Sequence, residues 1–524
     1  MTDTDFTTGQ KRSRRSGRAA RLRSRQQPVV RRSPVGPQAG RFNPLTTGEV
    51  ERILESAYHV LETVGMGVMG DMPPAALQML DEGATLSEHG RILIPRSKIE
   101  DALTLTPKSW TLHGLDPDRS IEIAAGRPHF GTAGGAVSML DCVTGAYRDT
   151  SLQDVYDMAR LVDTLSNIHW CYRSPIARDM ETVELLDINT AYTLLRGTTM
   201  PLGISLASVQ NVKDVVRLFD MALGGEGQFY DTPIAHMVQG AGVPPLRYAY
   251  ERCIIKEEAI RQGFPIMIAS ATQAGATSPA ALAGSVVQST AEALAGIVYA
   301  NTVLPGCPIT FAAWPFVSDL RTGAMSGGSG EQALLMAAVA QVAYHLGIPA
   351  SVAAGMTDSK LPDAQSGFEK SLNIALAGHA GAAMIHECAG MHASLMGCCL
   401  ESYVIDNDML GNILRTIEGI TVSDDMLSIA PIGNVNIDGP GHYLGEPQTL
   451  ELMQSEYIYP AQSDRNTIEE WKNAGSKSIV DRAIEYTQET LKHHHPSHIS
   501  NETDDQIRRT FDIRLPKEAI GRPV

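Results

Sequence analysis

From about residue 126 the chain falls into a rhythm. A short apolar segment rich in small or β-branched residues gives way to a polar loop and then to a longer amphipathic stretch. Eight such units follow one another. Their apolar segments lie near 128–134, 168–175, 201–208, 233–240, 265–273, 308–316, 349–356 and 382–389. The amphipathic stretches lie near 151–165, 180–196, 211–223, 245–262, 279–302, 329–346, 364–379 and 400–418. Several segments are entered through proline (Pro201, Pro233, Pro265, Pro308, Pro349), which is tolerated as the first residue of a strand. Strands alternating with helices predict parallel pairing with right-handed crossovers. Eight units predict closure, so the fold class is α/β, a (β/α)8 TIM barrel. An open doubly wound sheet is the alternative, weakened because no Gly-rich dinucleotide turn follows the first strand.

The flanks do not share this rhythm. Residues 1–42 read as a basic, low-complexity, disordered leader. Residues 43–125 read as an N-terminal α+β cap. Thr46 to Glu49 fit a capping box, and Ile53, Leu54, Ala57, Val60, Leu61 and Val64 recur at helical spacing before Gly65 or Gly67 ends the helix. A shorter helix is expected after Pro73–Pro74, and two short strands around a helix over 90–112. The barrel spans 126–420, and 421–524 is a C-terminal extension of helices packing on it. Val137–Tyr147 alternates around Thr144–Gly145 as a β-hairpin inserted after the first strand.

In such a barrel the active site lies at the C-terminal ends of the strands. That makes a short list: Arg173, His236, Gln239, Gln273, Trp314, Phe316, Asp319, Asp358, Lys360, His386 and Glu387. Trp314, Phe316 and Asp319 put two aromatics and a carboxylate at one strand end, suited to a cation; a packed Trp and a turn-capping Asp read equally well. Asp358, Lys360 and Asp363 are either substrate anchors or a rim network capping the helix near 364. His386, Glu387, Cys388, His392, Cys398 and Cys399 resemble metal ligands by type. Their spacing is poor, however, and adjacent cysteines seldom ligate one ion well, so no metal site is expected.

Charge narrows the partners. The net charge is −16, yet residues 11–32 hold ten Lys/Arg and no acid, so the remainder carries −26. A body that acidic repels nucleic acid and anionic membranes. No apolar run is long enough to span a membrane, and the twin arginines lack an apolar stretch behind them, so a cytoplasmic location is expected. Seven scattered cysteines suit a reducing compartment. Broad apolar helices such as 279–302 suit a homo-oligomer.

Long stretches carry a family resemblance. SATQAGATSPAALAGSVVQSTAEALAGIVYANTVLPG (270–306), GIPASVAAGMTDSKLPDAQSGFEK (347–370), LESYVIDNDMLGNILRTIEGI (400–420), GPGHYLGEPQTL (439–450) and DRNTIEEWKNAGSK (464–477) resemble the trimethylamine methyltransferase family. The resemblance runs from about residue 43 to about 490. It implies a barrel that moves a methyl group from a methylated amine to the Co(I) corrinoid of a separate small protein, with no corrinoid held permanently by this chain. The name-giving members carry pyrrolysine at the end of the seventh strand, in a Gly-pyrrolysine-Gln-Ser-Asp-Ala-Lys segment. Matched on Asp358 and Lys360, this chain has Gly355 there. It thus resembles the pyrrolysine-free members, whose substrates are glycine betaine and related quaternary amines.

Chemistry points the same way. A quaternary ammonium leaves as a neutral tertiary amine, whereas a tertiary amine needs activation first. The expectation is therefore a corrinoid-dependent methyltransferase acting on a small quaternary amine, glycine betaine first among them. Gly355 would leave room at the mouth. Trp314 and Phe316 would hold the cation, with Asp319, Asp358 or Glu387 nearby, and Arg173, His236, Gln239, Gln273 or His386 would receive the carboxylate. Three alternatives stay open: a trimethylamine or other methylamine methyltransferase, a zinc-dependent thiol methyltransferase suggested by MGCC at 396–399, and a non-catalytic quaternary-amine sensor.

Overall fold

A computed structural model describes residues 36–521 apart from Ala241 and Asp438, with the side chain of Gln239 also outside the described atoms. The basic stretch 11–32 lies outside the described residues. Eight parallel strands form one sheet: β1 (His129–Phe130), β2 (Cys171–Tyr172), β3 (Leu202–Ile204), β4 (Ala235–Gln239), β5 (Ile266–Ile268), β6 (Ile309–Ala312), β7 (Ala350–Ala353) and β8 (Met384–His386). Each pairs with its sequence neighbour from β2 through β8, and β8 pairs with β1 through Met384↔His129. The ring closes by a parallel bridge from Gly131 to Trp170, where the His169 N–H donates to the Phe130 carbonyl at 2.7 Å. The strands are short and almost wholly apolar because both faces are covered.

A helix follows every strand: α1 (Leu152–Asp163), α2 (Val183–Gly197), α3 (Val209–Leu223), α4 (Tyr250–Arg261), α5 (Leu282–Val303), α6 (Gly330–His345), α7 (Ala364–His379) and α8 (Leu400–Glu418). Local chemistry starts several of them. Ser151 and Asp154 form a capping box for α1, Thr182 caps α2, and Asp363 caps α7 through the Ser366 N–H. Asp363 is thus a helix cap. Before the barrel, helix Thr47–Thr63 carries the expected Thr46–Glu49 capping box and buries Ile53, Leu54, Ala57 and Leu61. Among the described residues no helix is long and apolar enough to cross a membrane.

After β8 the chain continues into α8, and helix Ile479–His493 packs against α8 and α1. There the Arg160 guanidinium donates to the Leu491 carbonyl at 2.6 Å. Residues 422–461 belong to a second compact unit that contains helices Ile429–Asn436 and Pro447–Leu452.

Two small sheets line the C-terminal face. The hairpin Ser138–Asp141/Ala146–Asp149 forms as expected, with Asp141 Oδ1 accepting from the Val143 and Thr144 N–H groups in its turn. It is half of a larger sheet: Gly397–Cys398 pairs parallel to Ser138–Met139 and antiparallel to Met391–His392. A second sheet joins Gln273–Ala274, Phe316–Ser318 and Met325–Ser326. The Gly-rich loop 323–331 therefore contains an edge strand.

Candidate functional site

The barrel axis is filled by aromatic rings. Trp170, His236, Trp314 and His386 come from the second, fourth, sixth and eighth units, matching the rule that alternate strands of a barrel supply each interior layer. Ring centroids are 5.1 Å apart for Trp170–His386, 6.1 Å for Trp170–His236, 5.6 Å for His236–His386 and 5.3 Å for Trp314–His386. Residues from strands that are not sheet neighbours meet this way only inside the barrel. Glycines in the flanking strands make the space: a Cβ on Gly131 would lie 1.9 Å from the Trp170 ring, and one on Gly203 would lie 2.7 Å from the Tyr172 ring and 2.9 Å from His236.

This layer is polar yet poorly satisfied. Among the described residues, both ring nitrogens of His386 and the Trp170 Nε1 are buried without a hydrogen-bond partner. The His236 nitrogens also lack a well-formed bond, with only a weak approach to the Leu202 carbonyl. Burial pushes His236 down to about 3 and, helped by His236, holds His386 well below its ordinary range, so both imidazoles are neutral at pH 7. Glu387 follows His386 in the chain with φ at 64° and a buried, unpartnered Oε2. Burial pushes its carboxyl up to about 8. Buried polar atoms left unpaired in this number mark a place where a ligand or solvent completes the bonding.

Trp314 is held rigidly, its Nε1–H donating to the Ser351 carbonyl at 3.2 Å. Phe316 pairs with Gln273 in the rim sheet, so these two expected site residues are neighbours. Arg173, at the end of β2, is partly buried, with long 3.4 Å bonds to the Gly134 carbonyl and Ser205 Oγ, and its guanidinium lies 5.6 Å from the Tyr172 ring centroid. Gln239 ends β4, in register with Ile268, and its side chain lies outside the described atoms.

Four of the expected residues have other partners or surroundings in the structure. Asp319 is bound by Arg321 through two side-chain bonds of 2.7 and 3.0 Å and holds a turn, so it offers no uncompensated charge to a cation. Asp358 accepts from Ser326 Oγ at 2.9 Å, the Gly327 N–H at 2.6 Å and Ser394 Oγ at 2.6 Å. Its oxygens stitch the loops after β6, β7 and β8 together. Lys360 donates to the Asp358 carbonyl at 2.7 Å and is exposed. Gly355 does not open space: a Cβ there would lie 2.0 Å from the Glu387 carbonyl oxygen and 2.4 Å from the Cys388 Cα. The backbone after β8 already occupies that direction.

Sequence reading missed Trp170, Glu369 and the Lys370–Asp406 pair. Trp170 stood within the second apolar segment, and glycines at Gly131 and Gly203 on either side were the available signal for a large inward ring. Glu369 accepts from Thr357 Oγ1 and from the Asp358 N–H at 2.8 Å, fixing the strand-seven loop from one turn into α7. Of the residues read as metal-like, His392 bonds Ser402 Oγ at 2.6 Å, and the Cys388 thiol donates to the Ile385 carbonyl at 2.9 Å.

Comparison with known proteins adds an independent line. A family model described as trimethylamine methyltransferase matches residues 12–518. Glycine betaine methyltransferase of Desulfitobacterium hafniense (strain Y51) is 27% identical over 476 residues, covering 90% of this chain and 97% of its own. Trimethylamine methyltransferase MttB of Methanosarcina thermophila is 31% identical over 467 residues, covering 86% and 93%. Among solved structures, the Methanosarcina barkeri monomethylamine methyltransferase aligns with a TM-score of 0.47 at 12% identity, over 87% of this chain and 96% of that one.

Proposed function

The chain belongs to the trimethylamine methyltransferase family and is a methyltransferase, and on that premise we propose that it moves a methyl group from a small quaternary amine, glycine betaine first among them, to the Co(I) corrinoid of a partner protein. One observation carries the choice of substrate. Gly355 stands where the name-giving members bear pyrrolysine, and its Cβ direction is filled by the Glu387 carbonyl at 2.0 Å. No reactive side chain at that point can prepare a tertiary amine for departure. A quaternary ammonium needs no preparation: its C–N bond breaks with the electron pair going to nitrogen, and the product leaves as a neutral tertiary amine.

The chain's own residues bind, orient and exclude water. Trp314, fixed by Ser351, offers an aromatic face to the cation. The neutral His236 and His386 add no repelling positive charge. Glu387 supplies the compensating negative charge once its proton has left. Arg173, only loosely engaged by Gly134 and Ser205, is the donor for a betaine carboxylate. The corrinoid, held by the partner, supplies the nucleophile.

The test mixes purified protein and a Co(I) corrinoid with glycine betaine, choline or trimethylamine in separate arms. Loss of the Co(I) absorbance with dimethylglycine as product is expected in the betaine arm. Loss with trimethylamine alone returns the chain to the tertiary-amine reading, and no loss in any arm overturns both.

A further inference from the structure

The strongest unassigned cluster lies where the mouth hairpin meets the start of α8. Cys142, in the hairpin turn, and Cys399, which precedes α8, bring their sulfurs to 3.0 Å, and Glu401 Oε2 stands 3.2 Å from the Cys399 sulfur. The three donor atoms all lie within 4.8 Å of one another. They come from segments 257 residues apart in sequence, joined because Gly397–Cys398 runs as a strand beside Ser138–Met139. The neighbouring Cys398 turns away, its sulfur 3.8 Å from Met139 Sδ and from the Ser138 carbonyl. The MGCC segment thus offers one cysteine to this cluster, and the hairpin offers the second.

We infer that Cys142, Cys399 and Glu401 bind one thiophilic divalent cation of the zinc class, which clamps the hairpin to α8. Two thiolates and a carboxylate are a familiar donor set for such an ion, with a fourth position left for water beside the partly exposed Cys142. A tetrahedral ion with bonds of about 2.3 Å would part the sulfurs to roughly 3.8 Å, a movement that the exposed hairpin turn can absorb. Binding releases both thiol protons to solvent.

A redox disulfide is the competing use of the same pair. Glu401 argues against it: its Oε2, 3.2 Å from the Cys399 sulfur, adds an oxygen donor that a cation uses and a disulfide does not. This ion would be structural. Its ligands stand on the hairpin and α8, apart from the ring layer on the barrel axis, so it does not revive a zinc-activated thiol as methyl acceptor. Tyr147 of the same hairpin donates to the Lys360 carbonyl at 2.8 Å, so a clamp here ties together the loops after β1, β7 and β8.

The full-length protein, reduced and stripped with a chelator, is loaded with Zn(II) or Co(II) and desalted. One retained equivalent is expected, with thiolate-to-metal charge-transfer absorbance in the Co(II) arm. Cys142→Ser and Cys399→Ser should each lose that absorbance, Cys398→Ser should keep it, and Glu401→Gln should weaken retention. Should a serine variant fail to fold, wild-type alkylation read by peptide mass decides instead: zinc protects Cys142 and Cys399 if the site is real. No retained metal, charge transfer surviving in Cys142→Ser, or a reduced protein that closes a Cys142–Cys399 disulfide and takes no metal overturns the inference.

Discussion

Gly355 and Glu387 are one contact seen from two sides. The glycine lets the backbone after β8 press against β7, and that backbone turns through φ 64° at Glu387, directly after the ring residue His386. Gly355→Ala should therefore cost about 2 kcal/mol or more in a denaturant melt, because the new methyl meets main chain that cannot rotate away. It should also lower methyl transfer. Glu387 makes a pH prediction. Its carboxyl, raised to about 8, is protonated at neutral pH in the empty protein, and the proposed role of balancing a cation requires it to ionise. Affinity for glycine betaine or tetramethylammonium should rise with pH toward about 8 and then level off, and Glu387→Gln should flatten the curve, as titration calorimetry across pH would read. The same shift makes a linkage. The folded carboxyl holds its proton above the ordinary value of 4.5, so its share of stability is full below that value and is lost as pH climbs through about 8.

Among the elements, α7 and α8 are joined by a buried ion pair, Lys370 Nζ to Asp406 Oδ2 at 2.7 Å, and the Gly390 N–H donates to the same oxygen at 2.9 Å. Lys370→Met strands a carboxylate in the interior and should cost roughly 3–5 kcal/mol in a denaturant melt, while Lys370→Met with Asp406→Asn should recover much of it. These elements were legible in different degrees. The barrel strands and helices follow from apolar periodicity and from prolines at strand entries, both local properties. Trp314 and His386 were legible because a strand end in a barrel is a mouth. The four-stranded rim sheet was not, since Cys398↔Met139 pairs the expected hairpin with a segment far away in the chain that does not look like a strand alone. Asp319 and Asp358 show a related limit: their residue type suggested a cation, while the donors that hold them (Arg321, Ser326, Gly327 and Ser394) become neighbours only in three dimensions.

For the whole molecule, charge is the coarsest feature. The ten basic residues of 11–32 oppose an otherwise acidic body, and the ring layer is built from Trp170, His236, Trp314 and His386. Deleting residues 1–32 should leave methyl transfer from betaine to free Co(I) corrinoid unchanged, measured as initial rate. A fall of more than about tenfold, equivalent to roughly 1.4 kcal/mol, would place that segment in the catalytic machinery. The closure of the ring has a further consequence, in time rather than space. β1 is held by β8, and the layer on the axis takes its last ring from His386, more than two hundred residues after the first strand. A chain emerging from the ribosome must therefore leave one edge of β1 without its β8 partner, and Trp170 without His386, until nearly the whole barrel has been made. Such distant pairing is slow to form and exposes apolar edges while it waits. The feature that gives the enzyme its enclosed aromatic floor also makes that floor one of the last things the chain completes.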